Sequence, residues 1–380
     1  MESLRVIAWD DPRCVEPLEA ASKMWQQKKG ITLDILKRPL TAFNDQPLQE
    51  IANACDVMII DHPHVPQAAG QGIILPLDNL LDETTLSRLE EDALGSCYQS
   101  YFVDGRPYAV ASDAACHVSA FKPDVLAYLS VDAPRTWEEV FELAEAYPGT
   151  VGVALYHTDA FSCLLSLLAG QNAAPDGGET LFPYQEKAVE GIHLLSRLAK
   201  LVPNFCFDCT PPMLFEQALT HPKLAYIPFT FGYTRLTQVH EGNWRFGSPP
   251  VGSGSLLGGA GMAVSSQAAD IDEAATFAAW YSMPDVQTYL TMNGAQPGSR
   301  TVWTTPLANK AVGHFFSDTI KTMERAYIRP LKPWWPPAQK RCGQLLVKGL
   351  KRGWPTAKII AAMERGYCDH RPNLQENLVE

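Results

Sequence analysis

The sequence predicts an α/β protein built as more than one packed unit, its sheets flanked by helices. Two observations carry this. Strands and helices alternate through the first third, and the strands there are uninterrupted apolar runs, the pattern of parallel pairing with helices on both faces. The chain has 380 residues, more than a single core usually organises (roughly 250–300).

The elements follow in order. "LRVIAWD" reads as a strand ending near Asp10. "CVEPLEAASKMWQQKKG" places Val15, Leu18, Ala21 and Trp25 near helical spacing, with Gly30 as the stop signal. "ITLDILKRPL" is a second strand, "PLQEIANAC" a helix, "DVMII" a third strand, and Gln67–Gly70 part of a short helix. After the turn signal Asp104-Gly105, "RPYAVASDAACHVSAF" alternates as extended chain running from one unit into the next. Thr136 and Glu139 form a capping box ahead of "WEEVFELAEAY", and Asp270 with Glu273 form a second ahead of "AATFAAWYSMP". Between these boxes "VGVAL" looks like a strand, "AFSCLLSLLAGQ" like a buried helix, and "YQEKAVEGIHLLSRLAKLV" like an amphipathic helix. "KLAYIPFTFGYTRL" is again strand-like. No repeat and no low-complexity linker interrupts the chain, so unit boundaries read as hinge crossings.

Composition excludes several classes. A 46% hydrophobic content with 10% aromatics is globular. No window reaches the ~20 apolar residues of a membrane span. The net charge of −11 argues against nucleic acid, which needs clustered Lys and Arg. Met1-Glu2-Ser3 leads straight into a strand with no leader pattern. Two readings stay open: the chain remains in the cytoplasm, or a leader has been removed and the protein is periplasmic or extracellular. Nine scattered cysteines do not resemble a secreted disulfide framework and favour the first. Cys206 and Cys209 form a C-x-x-C without a second pair at zinc spacing, so they read as buried thiols.

An ordered set of segments then carries a family resemblance. These are the early strand with Trp9, "DVMIID…VPQAAGQGIILPLD", "DGRPYAVASD…VSAFKPDVL", "APRTWEEVFELA" and "LLGGAGMAVSSQAADIDEAATFAAWYSMPDVQ". In this order, over most of residues 4–300, the chain resembles the family 1 extracellular solute-binding proteins, the sugar-type receptors of ABC importers related to maltose-binding protein. The resemblance implies a two-lobed periplasmic-binding-protein-like fold (type II), with mixed sheets flanked by helices and a ligand cleft between lobes that close by a hinge. On that reading residues 1–112 and 256–310 form the N-terminal lobe, and 113–255 and 311–380 the C-terminal lobe. The partners would be a sugar-like small molecule and the membrane subunits of an ABC transporter, the receptor itself working as a monomer.

The chemistry is read from strand ends, where open α/β sheets gather ligands. Those ends carry Trp9 and Asp10, and then Asp61, His62 and His64. Metal binding would need about three protein ligands, and beyond His62 and His64 none is obvious, so no metal and no cofactor is assigned. "GSGSLLGG" is followed by strand-like residues and is not a phosphate loop. No G-x-S-x-G occurs, and no catalytic residue is assigned. Asp10, Asp61, His62, His64, Ser112 and Asp113 are the hydrogen-bonding candidates for a polyol. Trp9, Tyr233, Trp334 and Trp335 are the candidates to stack on a sugar's C–H face, although Phe229, Phe231 and Tyr233 could equally share a core-facing side. Arg300 could meet an acidic group. Trp25, Trp137 and Trp280 sit in helical patterns and read as structural. The alternative function is a cytoplasmic enzyme or ligand sensor on the same scaffold.

Overall fold

The structure is a computed structural model and describes residues 2–238, 242–252 and 254–372. Its strands are β1 (Ser3–Trp9), β2 (Thr32–Arg38), β3 (Val57–Ile60), β4 (Phe102–Val103), β5 (Arg106–Pro107), β6 (Val110–Cys116), β7 (Val118–Phe121), β8 (Tyr226–Thr230), β9 (Arg245–Gly247) and β10 (Leu257–Val264). One five-stranded sheet has the order β2-β1-β3-β10-β6, and a three-stranded sheet has the order β8-β7-β9. In the first, β1 runs parallel to β2 and β3, whereas β10 is antiparallel to β3 and β6. The parallel part follows from helical crossovers; the antiparallel part comes from chain that returns after an excursion through the other lobe.

Helix α1 (Pro12–Lys29) starts where Asp11 accepts from the Arg13 amide and Pro12 fills the first turn. It ends at Gly30, whose φ of 77° is the left-handed cap that glycine adopts without a Cβ penalty. Its apolar stripe buries Val15, Leu18, Ala21 and Trp25 under the five-stranded sheet, with Phe277 and Trp280 packed on Trp25. Residues from Leu4 to Ala295 in this region form two cores, one on each side of the sheet. The larger third core gathers β7 and β8, the helices His157–Ala169, Gln185–Leu201, Trp335–Lys351 and Thr356–Cys368, and also Val302 and Trp303.

Several sequence expectations are corrected. "PLQEIANAC" forms two 3₁₀ turns, Leu48–Glu50 and Ala52–Ala54, instead of an α-helix. "VGVAL" is a single bridge from Val151 to Tyr226 followed by irregular chain, because its next amides turn to Tyr226 and Cys206 carbonyls without forming a ladder. The Thr136/Glu139 capping box is complete. At Asp270 only half forms: Asp270 accepts from the Glu273 amide, while the Glu273 carboxylate accepts from Trp25 Nε1 at 2.9 Å. Tertiary packing has taken the second half of that motif. Of the glycine-rich passage, Ser253 lies outside the described residues, and β10 follows directly.

One irregularity positions the site. Along β6 and β10 the pairs are Ala260↔Asp113 and then Gly261↔Ala111, so Ser112 is a bulged extra residue. A bulge shifts the alternation of a strand and re-aims the next side chain. Ser112 turns inward and donates to the Ala260 carbonyl at 3.1 Å, while Asp113 lines a cavity. Opposite, Gly259 has φ of 102°, and a Cβ there would collide with the Asp113 carbonyl. Gly259→Ala is therefore expected to cost about 1–3 kcal/mol of stability; a thermal melt indistinguishable from the parent would contradict this.

Candidate functional site

A cavity of about 80 Å³, the space open to the centre of a water-sized sphere, lies where the carboxyl ends of β1 and β3 face the chain leaving β8. Its apolar faces are Trp9, Phe43, Phe231 and Tyr233, and its polar edge is Arg13, Asn44, Asp61, Asp113, Asp159 and Arg329. Trp9 ends β1 and packs on Phe43 with ring centroids 5.1 Å apart. Phe43 and Asn44 come from helix α2 (Leu40–Asp45), which follows β2. Phe231 and Tyr233 flank Gly232 just beyond β8.

Two buried ion pairs frame the cavity. Arg13, in the first turn of α1, donates through Nε to Asp113 Oδ2 at 2.8 Å and through Nη2 to Asp113 Oδ1. Its Nη1 donates to the Gly232 carbonyl at 2.7 Å, joining α1 to the chain beyond β8, and its guanidinium lies 5.6 Å from the Tyr233 ring centroid. Burial lifts the Asp113 carboxyl above its usual range even with Arg13 beside it. The second pair joins residues 268 positions apart in the chain. Arg329 Nη2 donates to both Asp61 oxygens at 2.7 and 2.8 Å, and both side chains are almost wholly buried. Burial alone would push the Asp61 carboxyl up, but Arg329 and His62 together hold it well below the usual carboxylate range.

The structure sorts the sequence candidates sharply. Trp9, Asp61, Asp113 and Tyr233 line the cavity. His62 does not: its ring is fully buried behind Asp61, with Nδ1 3.3 Å from Asp61 Oδ1 and 3.4 Å from Arg329 Nη2. His62-Pro63-His64 curls into a 3₁₀ turn, which breaks the i, i+2 geometry of an extended loop. Burial, with Arg329 adding, lowers the His62 pKa to about 4, so the ring is neutral at pH 7. His64 is one layer out and its Nε2 donates to the Asn44 carbonyl at 3.0 Å, tethering α2 over the cavity. Ser112 is turned away by the bulge, and Asp10 is exposed.

Trp335 is fully buried in the second core, and Trp334 packs edge-on against Tyr367, because Pro336 and Pro337 start a helix there where an open loop was expected. Arg300 is at the surface, paired with Glu324 at 2.5 Å. None of these three lines the cavity. Phe229 is a core residue packed on His117 and Trp137. Arg13, Phe43, Asn44, Asp159 and Arg329 were not singled out from sequence. Arg13 had a usable signal, a cation in the first turn of a helix that opens at a strand's carboxyl end. Arg329, 268 residues from Asp61, had none.

Among the described residues no group of three or more His, Cys, Asp or Glu side chains could hold a metal ion, and no helix is long and apolar enough to cross a membrane. Cys206 and Cys209 are buried free thiols, with burial pushing both up, to about 12 and about 11.

This geometry, a cavity walled by aromatic rings and edged by buried ion pairs, agrees with what the chain is similar to. A sequence profile for bacterial extracellular solute-binding proteins matches residues 20–306. The chain belongs to that family. No curated relative matches this solute-binding protein in sequence. Its fold is that of solved sugar receptors. It superposes on the maltose-bound MalE3 of T. maritima with a TM-score of 0.82 at 17% identity, covering 96% of this chain and 98% of that one. For an ABC transporter solute-binding protein from Thermotoga lettingae bound to α-D-tagatose, the TM-score is 0.83 at 15% identity, over 98% and 100% of the two chains. The GacH receptor of Streptomyces glaucescens, solved unliganded and with acarbose, gives 0.81 at 18% identity over 97% and 98%. The two-lobed architecture expected from the sequence is thus the architecture of this solute-binding protein.

Proposed function

We propose that this solute-binding protein is the carbohydrate receptor of an ABC importer, closing its lobes over a small polyhydroxylated ligand. The observation that carries the reading is the cavity itself, with Trp9 and Phe43 offered from one lobe and Phe231 and Tyr233 from the other. Flat rings suit the C–H face of a sugar, and buried carboxylate–guanidinium pairs at the rim supply fixed acceptors and donors for hydroxyl groups. Similar folds solved with maltose, tagatose, ribitol and mannitol bound support the class.

We assign the first lobe to residues 1–112 and 256–310 and the second to 113–255 and 311–380; residues 1, 239–241, 253 and 373–380 of these ranges lie outside the described residues. The cores support the division in outline: two draw only on the first range, while the third holds the second range together with Leu94, Cys97, Leu256, Leu257, Val302, Trp303 and Ala308, and the 112/113 boundary falls inside β6. The short helix Arg300–Thr304 packs against elements of both ranges.

Isothermal calorimetry with a panel of neutral sugars and alditols tests the reading. Trp9→Ala is expected to weaken binding of whichever probe registers by about 10–100-fold, the equivalent of about 1.4–3 kcal/mol of lost ring burial. Equal affinities for parent and variant would remove Trp9 from the ligand surface. Recovery of the bound probe unchanged by mass spectrometry is the expected outcome for a receptor, and recovery of a product would mean an enzyme.

A further inference from the structure

The cavity has a neighbour. A groove of about 370 Å³, in the same measure, runs outward past Asp11, Lys122, Phe215 and Trp244. The two spaces share Arg13 and Tyr233 in their linings and are separated by them. We infer that the inner cavity is built for a single neutral sugar or alditol unit, and that the Arg13–Tyr233 pair is the wall that denies a second ring. This rests on the carbohydrate reading above and narrows it.

Size comes first. A water needs about 10–15 Å³ of such space and displaces about 30 Å³ of liquid. A cavity of about 80 Å³ therefore corresponds to roughly five to eight waters, on the order of one six-carbon unit and about half of a disaccharide.

The walls do not give easily. Arg13 is held from three directions, by Asp113 through two nitrogens and by the Gly232 carbonyl at 2.7 Å, and Tyr233 lies against its guanidinium. The floor is Gly258 and Gly259, where even a methyl group would strike the Phe231 ring or the Asp113 carbonyl. A longer saccharide would have to break the Arg13 clasp to continue into the groove.

Charge comes second. Both guanidiniums of the lining already face a carboxylate, Arg13 with Asp113 and Arg329 with Asp61, and Asp159 adds a further acid. Among the described residues lining the cavity both guanidiniums are already paired, so a carboxylate or phosphate on the ligand would have to compete with Asp113 and Asp61 for them. Arg300, the residue that could have served such a group, is engaged with Glu324 at the surface.

Calorimetry on the full chain with D-tagatose, D-glucose, ribitol, D-mannitol, maltose and D-gluconate decides the matter. At least one neutral single-unit probe is expected to bind about 100-fold or more tightly than both maltose and gluconate. Maltose or gluconate binding as tightly as the best single unit would overturn the inference while leaving a carbohydrate receptor standing. Silence across the whole panel would overturn the carbohydrate reading and this inference with it. Tyr233→Ala, checked for folding by circular dichroism, opens the wall. It is expected to narrow the gap between maltose and the single-unit probe at least tenfold, and an unchanged gap would show that Tyr233 is not the partition.

Discussion

Arg329→Met is expected to lower the free energy of unfolding by about 3–5 kcal/mol. Asp61 is 7% exposed, and its two oxygens accept 2.7 and 2.8 Å bonds from one Arg329 nitrogen. Methionine fills most of the volume but cannot donate, so the carboxylate is left buried without its counter-charge, and breaking a buried pair on one side carries that cost. Adding Asp61→Asn should restore a large part of the loss, because the remaining buried group is then neutral. Urea denaturation of parent, single and double variants measures this. A single-variant loss below about 1 kcal/mol would mean that the pair is solvated and does not tie the lobes together.

Acid should destabilise the protein well before its carboxylates titrate. Burial lowers the His62 pKa to about 4 and the His117 pKa to about 3, with Arg329 adding to both, against 6.5 for a free imidazole. His117 is fully enclosed, between Phe229 and Phe231, with Nδ1 2.8 Å from Ser166 Oγ. The unfolded chain binds these protons first as pH falls. The stability contribution is therefore complete above about pH 6.5 and is lost progressively as pH drops toward the folded-state values. His62 alone contributes about 3 kcal/mol to that loss, and His117 somewhat more. His64, also lowered by burial, acts in the same direction. Asp61, held low, adds to the loss only in stronger acid, below the ordinary carboxylate range, while Asp11 and Asp113, raised mainly by burial, bind protons in the folded state above that range and oppose the trend at milder pH. Denaturation midpoints across pH 7.5 to 4.5 should fall steeply, and His117→Asn should flatten the slope. A flat profile for the parent would show that neither ring is excluded from water.

The two predictions mark how much of the site was legible. The place of Trp9 and Asp61 beside the cavity could be read because a strand's carboxyl end is visible in the sequence as an apolar run followed by polar residues. His62 sits in the same motif yet serves a different end, supporting Asp61 from behind. Nothing in "DHPH" distinguishes a ring that faces ligand from one that faces the protein, since the 3₁₀ turn that decides it depends on what packs around the loop. Trp334 and Trp335 lie away from the cavity for a related reason. Pro-rich flanks suggested an open loop, but those prolines occupy a helix's first turn, where a missing amide costs nothing. The half-formed box at Asp270 shows the converse, a local motif yielding to the Trp25 indole from another helix.

Local order, the helix and strand periods, the caps and the parallel start of the first sheet are written in short stretches of chain, because they arise from interactions between near neighbours. So is the family, through an ordered series of such stretches. The site is of another kind. Asp113 reaches the cavity only through a bulge set by pairing with β10, and Arg13 and Arg329 meet their partners across sequence separations of 100 and 268 residues. Which ionisable groups are buried together, and hence which are charged, is a property of the closed chain, since desolvation exists only once distant segments have excluded water.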